Sequence, residues 1–361
     1  MQAKGIMKIF ITGICGFVGS SLARGLRAAM PRARIAGMDN LARLGSETNR
    51  RALKPYGITV MHGDIRNAGD LESLPAADWI IDAAANPSVM AGIDGQTSSR
   101  QLVEHNLLGT VNLLELCRKW NCGLIMLSTS RVYSIPALAA LKMKVKANAF
   151  TPALPSLRTP GMTVKGITEY FSTQAPISLY GATKLASEAL ALEYGTAFNL
   201  PVFVNRCGVL AGAGQFGKAD QGIYSFWIHA YCRRKALRYI GFNGRGCQVR
   251  DCLHPLDLAT LVQRQLTRPH TTSIRVFNIG GGVRNSMSLA RLSAWCAERF
   301  GPHHIGGQSK KRPFDVPWLV LNAERAQRTW NWKPAIPLEQ ILAEIARHAE
   351  QNPRWLELCA G

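Results

Sequence analysis

Acidic residues are scarce in this 361-residue chain: 23 Asp and Glu stand against 43 Lys and Arg, for a formal net charge of +20. It has no uncharged apolar run of the roughly 18 residues that would suggest a membrane span. The opening Met1-Gln2-Ala3-Lys4-Gly5 carries no apolar signal core, so the chain reads as cytoplasmic and free of membrane. The nine cysteines are odd in number and never fall as CxxC, which argues against a disulfide framework or a zinc site and fits reduced, buried thiols. His303-His304 has no metal-ligand spacing, and no metal is expected. There is no internal repeat and no low-complexity tail. Basic residues recur in Arg50-Arg51, Lys142-Met143-Lys144-Val145-Lys146, Arg233-Arg234-Lys235 and Lys310-Lys311-Arg312. Such charge suits a solvated surface, a diphosphate-bearing ligand or a polyanion; with no nucleic-acid-binding motif beside it, nucleic acid is the disfavoured partner.

What is present begins at Lys8-Ile9-Phe10-Ile11-Thr12-Gly13-Ile14-Cys15-Gly16-Phe17-Val18-Gly19, an apolar strand entering a glycine triplet and then a helix. Gly13 suits a tight turn, Gly16 a close approach of backbone to phosphate, and Gly19 close packing of helix on strand. The helix N-terminus then faces a dinucleotide's pyrophosphate. About twenty residues on, Arg34–Asp39 reads as a second strand ending in a carboxylate placed for a ribose diol. A 2′-phosphate would be repelled there, so NAD is expected over NADP, with Arg43 as the residue that could soften the preference. Further strands are expected over Thr59–Ile65, with Asp64 near its end, and over Trp79–Ala85, ending in small residues. Strand and helix signals alternate to about Met126, including a helix over Leu107–Trp120 and a strand from Gly123. This pattern predicts an α/β fold, a Rossmann-type doubly wound parallel sheet. Residues 1–200 form the expected dinucleotide domain, with a Pro- and Lys-rich excursion over 134–176 crossing the site's mouth. Residues 201–361 form mainly a smaller substrate domain, some of its segments returning to the sheet.

The chemistry gathers at Tyr180-Gly181-Ala182-Thr183-Lys184, where helical spacing puts phenol and ammonium on one face. Lys184 there can stabilise the Tyr180 phenolate and make it a base for a substrate hydroxyl. Upstream, Leu127-Ser128-Thr129-Ser130-Arg131-Val132-Tyr133 sets hydroxyls at the C-terminal end of the fifth strand, where open parallel sheets bind ligands.

Taken together, the glycine triplet, Asp39, Asp64, the Ser/Thr strand end and Tyr180-xxx-Lys184 resemble the extended short-chain dehydrogenase/reductase family of nucleotide-sugar epimerases and dehydratases. Gly244–His254, Phe277–Gly282 and Arg312-Pro313-Phe314-Asp315 extend the likeness over nearly the whole chain. The resemblance implies Thr129, Tyr180 and Lys184 as catalytic residues. It implies cofactor contacts at Gly13, Gly16, Phe17, Val18, Gly19, Asp39, Asn40, Asp64, Ile65, Ala84 and Asn106, with Tyr180 and Lys184 joining them. Substrate contacts are implied at Ser130, Arg131, Gln215, Arg250 and Arg312, the last two on a diphosphate; the plain alternative for Arg250 is an ion pair with Asp251. Within the family, Ser128–Tyr133, Gly214-Gln215-Phe216, Asp220-Gln221-Gly222 and Gln248–Asp251 are most similar to epimerases acting at C2 of a CDP-linked sugar. Dehydratases carry an Asp-Glu pair where this chain has Ser130 and Arg131, which disfavours water elimination. The expected activity is therefore NAD-dependent epimerisation of a nucleotide-diphosphate sugar through a transient keto sugar, in a homodimer or homotetramer. The alternatives are a UDP-glucose 4-epimerase-like enzyme, another nucleotide-sugar dehydrogenase, and an RNA-binding protein of the same fold.

Overall fold

The computed structural model describes residues 5–95, 97–218, 221–310 and 312–360. Asp220 and Lys311, both in motifs quoted above, lie outside the described residues. The chain opens with strands β1 (Lys8–Thr12), β2 (Arg34–Asp39), β3 (Thr59–His62), β4 (Trp79–Asp82) and β5 (Gly123–Thr129). With the later strands Val202–Cys207 and Val276–Ile279 they make one seven-stranded sheet, every pair parallel. Its order is Val276–Ile279, Val202–Cys207, β5, β4, β1, β2, β3. The winding reverses between β1 and β4, which opens the crevice where doubly wound sheets take ligands.

Helices cover both faces, which is why the strands read as apolar runs. On one face Ile9, Ile11 and Phe203 pack with Leu22 and Leu26 of α1 (Phe17–Ala29) and Leu258 and Leu261 of the helix Pro255–Thr267. On the other, Phe10, Ile80 and Leu124 meet Leu113 and Leu114 of the helix Gly109–Trp120. A third core joins the helices Ile223–Cys232, Leu289–Phe300 and Leu338–Gln351 under a second sheet built from Val209–Leu210, Val249–Leu253, Ser286–Ser288 and Trp318–Leu319.

Two strands end sooner than their apolar runs. β4 stops at Asp82, whose carboxylate takes the Thr12 hydroxyl at 2.9 Å, and β3 stops at His62, ahead of the turn in which Asp64 folds back on Arg66. The helix expected from Leu107 enters through a π turn at Glu104–Leu108 before running as an α-helix from Gly109. Residues 134–176 carry the short helix Ile135–Ala140 and the hairpins Met143–Lys146/Ala149–Pro152 and Met162–Thr163/Gly166–Ile167. They dock by backbone on the second sheet's surroundings, Phe150 N to Cys247 O at 2.9 Å and Ile167 N to Val320 O at 2.8 Å. Among the described residues no helix is long and apolar enough to cross a membrane.

Candidate active site

At the mouth of the crevice the three glycines have separate steric roles. Gly13 turns the chain at φ 61°, and a Cβ there would stand 2.9 Å from the Ala83 carbonyl and from the Ala84 backbone. A Cβ on Gly19 would meet the Gly13 carbonyl at 2.2 Å, so only glycine lets α1 seat against the loop. A Cβ on Gly16 would meet just the Gly13 carbonyl, at 3.1 Å, with open space otherwise. Gly16 caps α1 without a side-chain acceptor, and the first helical bond is Ser20 N to Gly16 O, so the amides of Phe17, Val18 and Gly19 have no acceptor within the helix.

Asp39 ends β2 under this loop and accepts from the Cys15 and Leu41 amides, each at 2.8 Å. Burial raises its pKa, and those backbone donors pull the other way. The next acid is already committed: Asp64 receives Asn40 at 2.9 Å and the Arg66 fork at 2.7 Å, and these bonds, against burial, hold its carboxyl well below the usual range. Ile65 is buried against Gly109, and the Ala84 amide donates to the Thr12 hydroxyl at 3.2 Å. Asn106 is buried and ties the Asn86 amide (2.8 Å) and carbonyl (3.0 Å) to Thr183 (3.3 Å), fastening the exit of β4 to the helix Ser178–Ala197. Arg43 points to the Phe216 carbonyl and to Gln221 at 3.3 Å, clasping the loop after β2 to the second half of the chain.

Tyr180 and Lys184 lie one turn apart on the helix Ser178–Ala197, 7% and 2% exposed. Thr129, the last residue of β5, shares a hydrogen bond with the Tyr180 phenol. Burial pushes that phenol up to about 12, opposed by the Thr129 bond and by the charge of Arg131. The Lys184 ammonium has no hydrogen bond or ion pair to any described residue. An ammonium with no hydrogen bond or ion pair, its charge acting on Cys207 at the end of the neighbouring strand Val202–Cys207, suits ligand hydroxyls, and with the open amides of α1 and the carboxylate of Asp39 it makes a set that fits a dinucleotide. Phenol, hydroxyl and ammonium together can pass a proton to and from an alcohol.

Beyond Arg131 a cavity of about 490 Å³ is lined by Tyr224, Trp227, Arg250, Arg312 and Asp315, with Arg131 at its wall. Arg250 pairs with Asp315 at 2.9 Å, and its other donors reach the Val249 carbonyl at 2.8 Å and the Val316 carbonyl at 2.9 Å. The pairing with its neighbour Asp251 is not made. Arg131 donates to the Phe314 carbonyl at 3.3 Å, and burial together with the charge of Arg250 draws its pKa down to about 10. Ser130 lines a smaller hollow beside this wall, with Ser178 and Phe314. Gln215 does not line the cavity; its amide donates to Leu210 O at 2.8 Å behind Gly222. Sequence reasoning assigned no role to Asp315 or to Arg238, a further cation lining the cavity. Asp315 was visible only as the end of Arg312-Pro313-Phe314-Asp315, and Arg238 carried no signal.

The sequence pattern of the NAD dependent epimerase/dehydratase family matches residues 9–280. CDP-paratose 2-epimerase of Salmonella typhi is 33% identical over 299 residues, 79% of this chain and 82% of that protein. UDP-glucose 4-epimerase of Yersinia pestis is 26% identical over 96% of this chain and 99% of its own. Among solved structures, a UDP-glucuronic acid 4-epimerase from Bacillus cereus, in complex with UDP-glucuronic acid and NAD, is similar in fold. Its TM-score is 0.74 at 21% identity, covering 96% of this chain and 99% of that one.

Proposed function

Because this chain belongs to the NAD dependent epimerase/dehydratase family and is an NAD-using enzyme of the epimerase type, we propose that it inverts one carbon of a nucleotide-diphosphate sugar, by preference C2 of a CDP-sugar. The observation that carries this reading is the hydrogen bond between Thr129, the last residue of β5, and the Tyr180 phenol, with Lys184 one turn further along the same helix and Arg131, whose charge acts on that phenol, at the wall of the arginine-lined cavity. The glycine-loop amides hold the cofactor's phosphates, Asp39 its adenosine ribose, and Lys184 its nicotinamide ribose. Bound NAD supplies the acceptor and donor of the electron pair at the sugar carbon. Tyr180 takes the proton of the sugar hydroxyl and returns it once the keto sugar has turned its other face; Thr129 orients that oxygen. A phenol near 12 without ligand is a poor base at neutral pH, so the reading requires cationic charge, from Arg131 and from the bound nicotinamide ring, to lower it. Arg250 and Arg312 hold the diphosphate, and Ser130 and Arg131 the sugar side of it.

A C4 inversion of a UDP-sugar is the second reading, favoured by the likeness to UDP-glucose 4-epimerase across almost the whole chain. The assembly in either case is a homodimer or homotetramer. Tyr180→Phe tests the mechanism: turnover falls about a hundredfold or more while fold and NAD content are kept. Full turnover in that variant would contradict it.

A further inference from the structure

Glu188 stands one turn past Lys184 on the same helix, so Tyr180, Lys184 and Glu188 descend one face at four-residue steps. Lys184 and Glu188 are each 2% exposed, and a lysine and a glutamate at this spacing are within reach of an ion pair. That pair is not made. Arg206, from the strand Val202–Cys207, grips the carboxylate with Nε at 3.1 Å and 3.0 Å from its two oxygens and Nη2 at 2.7 Å from Oε2. The Ser128 hydroxyl, next to Thr129, donates to Oε1. Arg206 is fixed in turn over the Tyr133 ring, 5.4 Å from its centroid, and the Tyr133 hydroxyl donates to Asn278 at 2.6 Å. A guanidinium fork can occupy both oxygens of a carboxylate at once. With Glu188 so occupied, the Lys184 ammonium is left with no hydrogen bond or ion pair among the described residues, its charge acting on the buried Cys207 thiol.

We propose that Arg206 is a positioning residue whose work is to hold Glu188 away from Lys184, so that the ammonium stays available to the cofactor's ribose hydroxyls. This rests on the role given to Lys184 in the proposed function. A pair that served only to staple strand to helix would affect NAD only through the fold, so that affinity would follow the stability lost whichever half is removed. Sequestration is asymmetric: removing Arg206 turns Glu188 loose on Lys184, whereas removing the Glu188 charge leaves Lys184 available.

The test measures the affinity of the full chain for NAD by calorimetry, alongside thermal unfolding, in wild type, Arg206→Met, Glu188→Gln and the double variant. If nine-tenths of the ammonium is captured by Glu188 in Arg206→Met, affinity falls about tenfold. Glu188→Gln then stays within about threefold of wild type, and adding it to Arg206→Met restores binding. Equal losses in the two single variants, or a double variant no better than Arg206→Met, would overturn the proposal. Should the lone buried carboxylate prevent Arg206→Met from folding, Arg206→Lys keeps a charge but loses the fork. Weakened NAD binding supports the proposal there, and wild-type affinity overturns it. If wild type binds NAD yet inverts no nucleotide sugar, the function proposed above fails, while these affinities still decide the role of Arg206.

Discussion

Arg250 is held by Asp315, 65 residues further along the chain, and not by Asp251 beside it. Alternation along the strand Val249–Leu253 explains the choice, since neighbouring side chains point to opposite faces. Arg250 turns to the cavity, and Asp251 turns under the loop at Gly280–Gly282, where it accepts from the Gly282 amide at 3.3 Å. Arg250→Ala therefore raises KM for a nucleotide sugar about tenfold, the range of one charge-assisted contact, and leaves NAD content unchanged. Steady-state kinetics with cofactor analysis checks it; lost NAD with unchanged KM would place the residue elsewhere.

Asp251 supplies a pH dependence. Burial pushes its carboxyl up to about 7 from an ordinary value of 3.8, against the backbone donors around it. Between those values the folded chain holds a proton that the unfolded chain has released, so stability falls as pH rises through that window. Asp251→Asn does not titrate and loses that slope. Thermal unfolding from about pH 4 to about pH 8 reads it directly, and parallel curves for the two proteins would refute the assignment.

The glycine loop separates folding from binding. Gly19→Ala forces a Cβ to 2.2 Å from the Gly13 carbonyl and displaces backbone, an overpacking that costs about 1–3 kcal/mol. Gly16→Ala meets one atom, the Gly13 carbonyl, at 3.1 Å, so it costs less stability than Gly19→Ala while NAD affinity drops, because the methyl takes up space that close approach of a phosphate to this backbone needs. Chemical denaturation and NAD titration on both variants distinguish the two roles.

The parts of this site that the sequence made legible are those set by local geometry. The glycine triplet, the carboxylate closing β2 and the Tyr180–Lys184 step on one helix face all follow from short-range spacing, and the structure places them around one crevice. The parts that escaped depend on distant partners. Asn40 and Asp64 look like free polar ligands in the sequence, yet Asn40 donates to Asp64, whose carboxylate also takes the Arg66 fork. Arg43 looks available to a ribose phosphate, yet it reaches Phe216 across 173 residues. Residues 134–176 lack the periodicity of long elements because their pieces are short and take backbone partners from segments, around Cys247 and Val320, that come about a hundred residues or more later. Glu188 did have a local signal, four residues past Lys184, but only Arg206 gives it meaning.

In the proposed reaction Thr129, Tyr180 and Lys184 act with NAD to invert a carbon of a nucleotide sugar. Its most direct test is to identify the cofactor released on denaturation, incubate intact protein with CDP-, UDP-, GDP- and dTDP-sugars, and follow stereochemistry by NMR. Released NAD with inversion at a single carbon, C2 of a CDP-sugar first, is the predicted result. A protein that carries no NAD and leaves every sugar unchanged would contradict it.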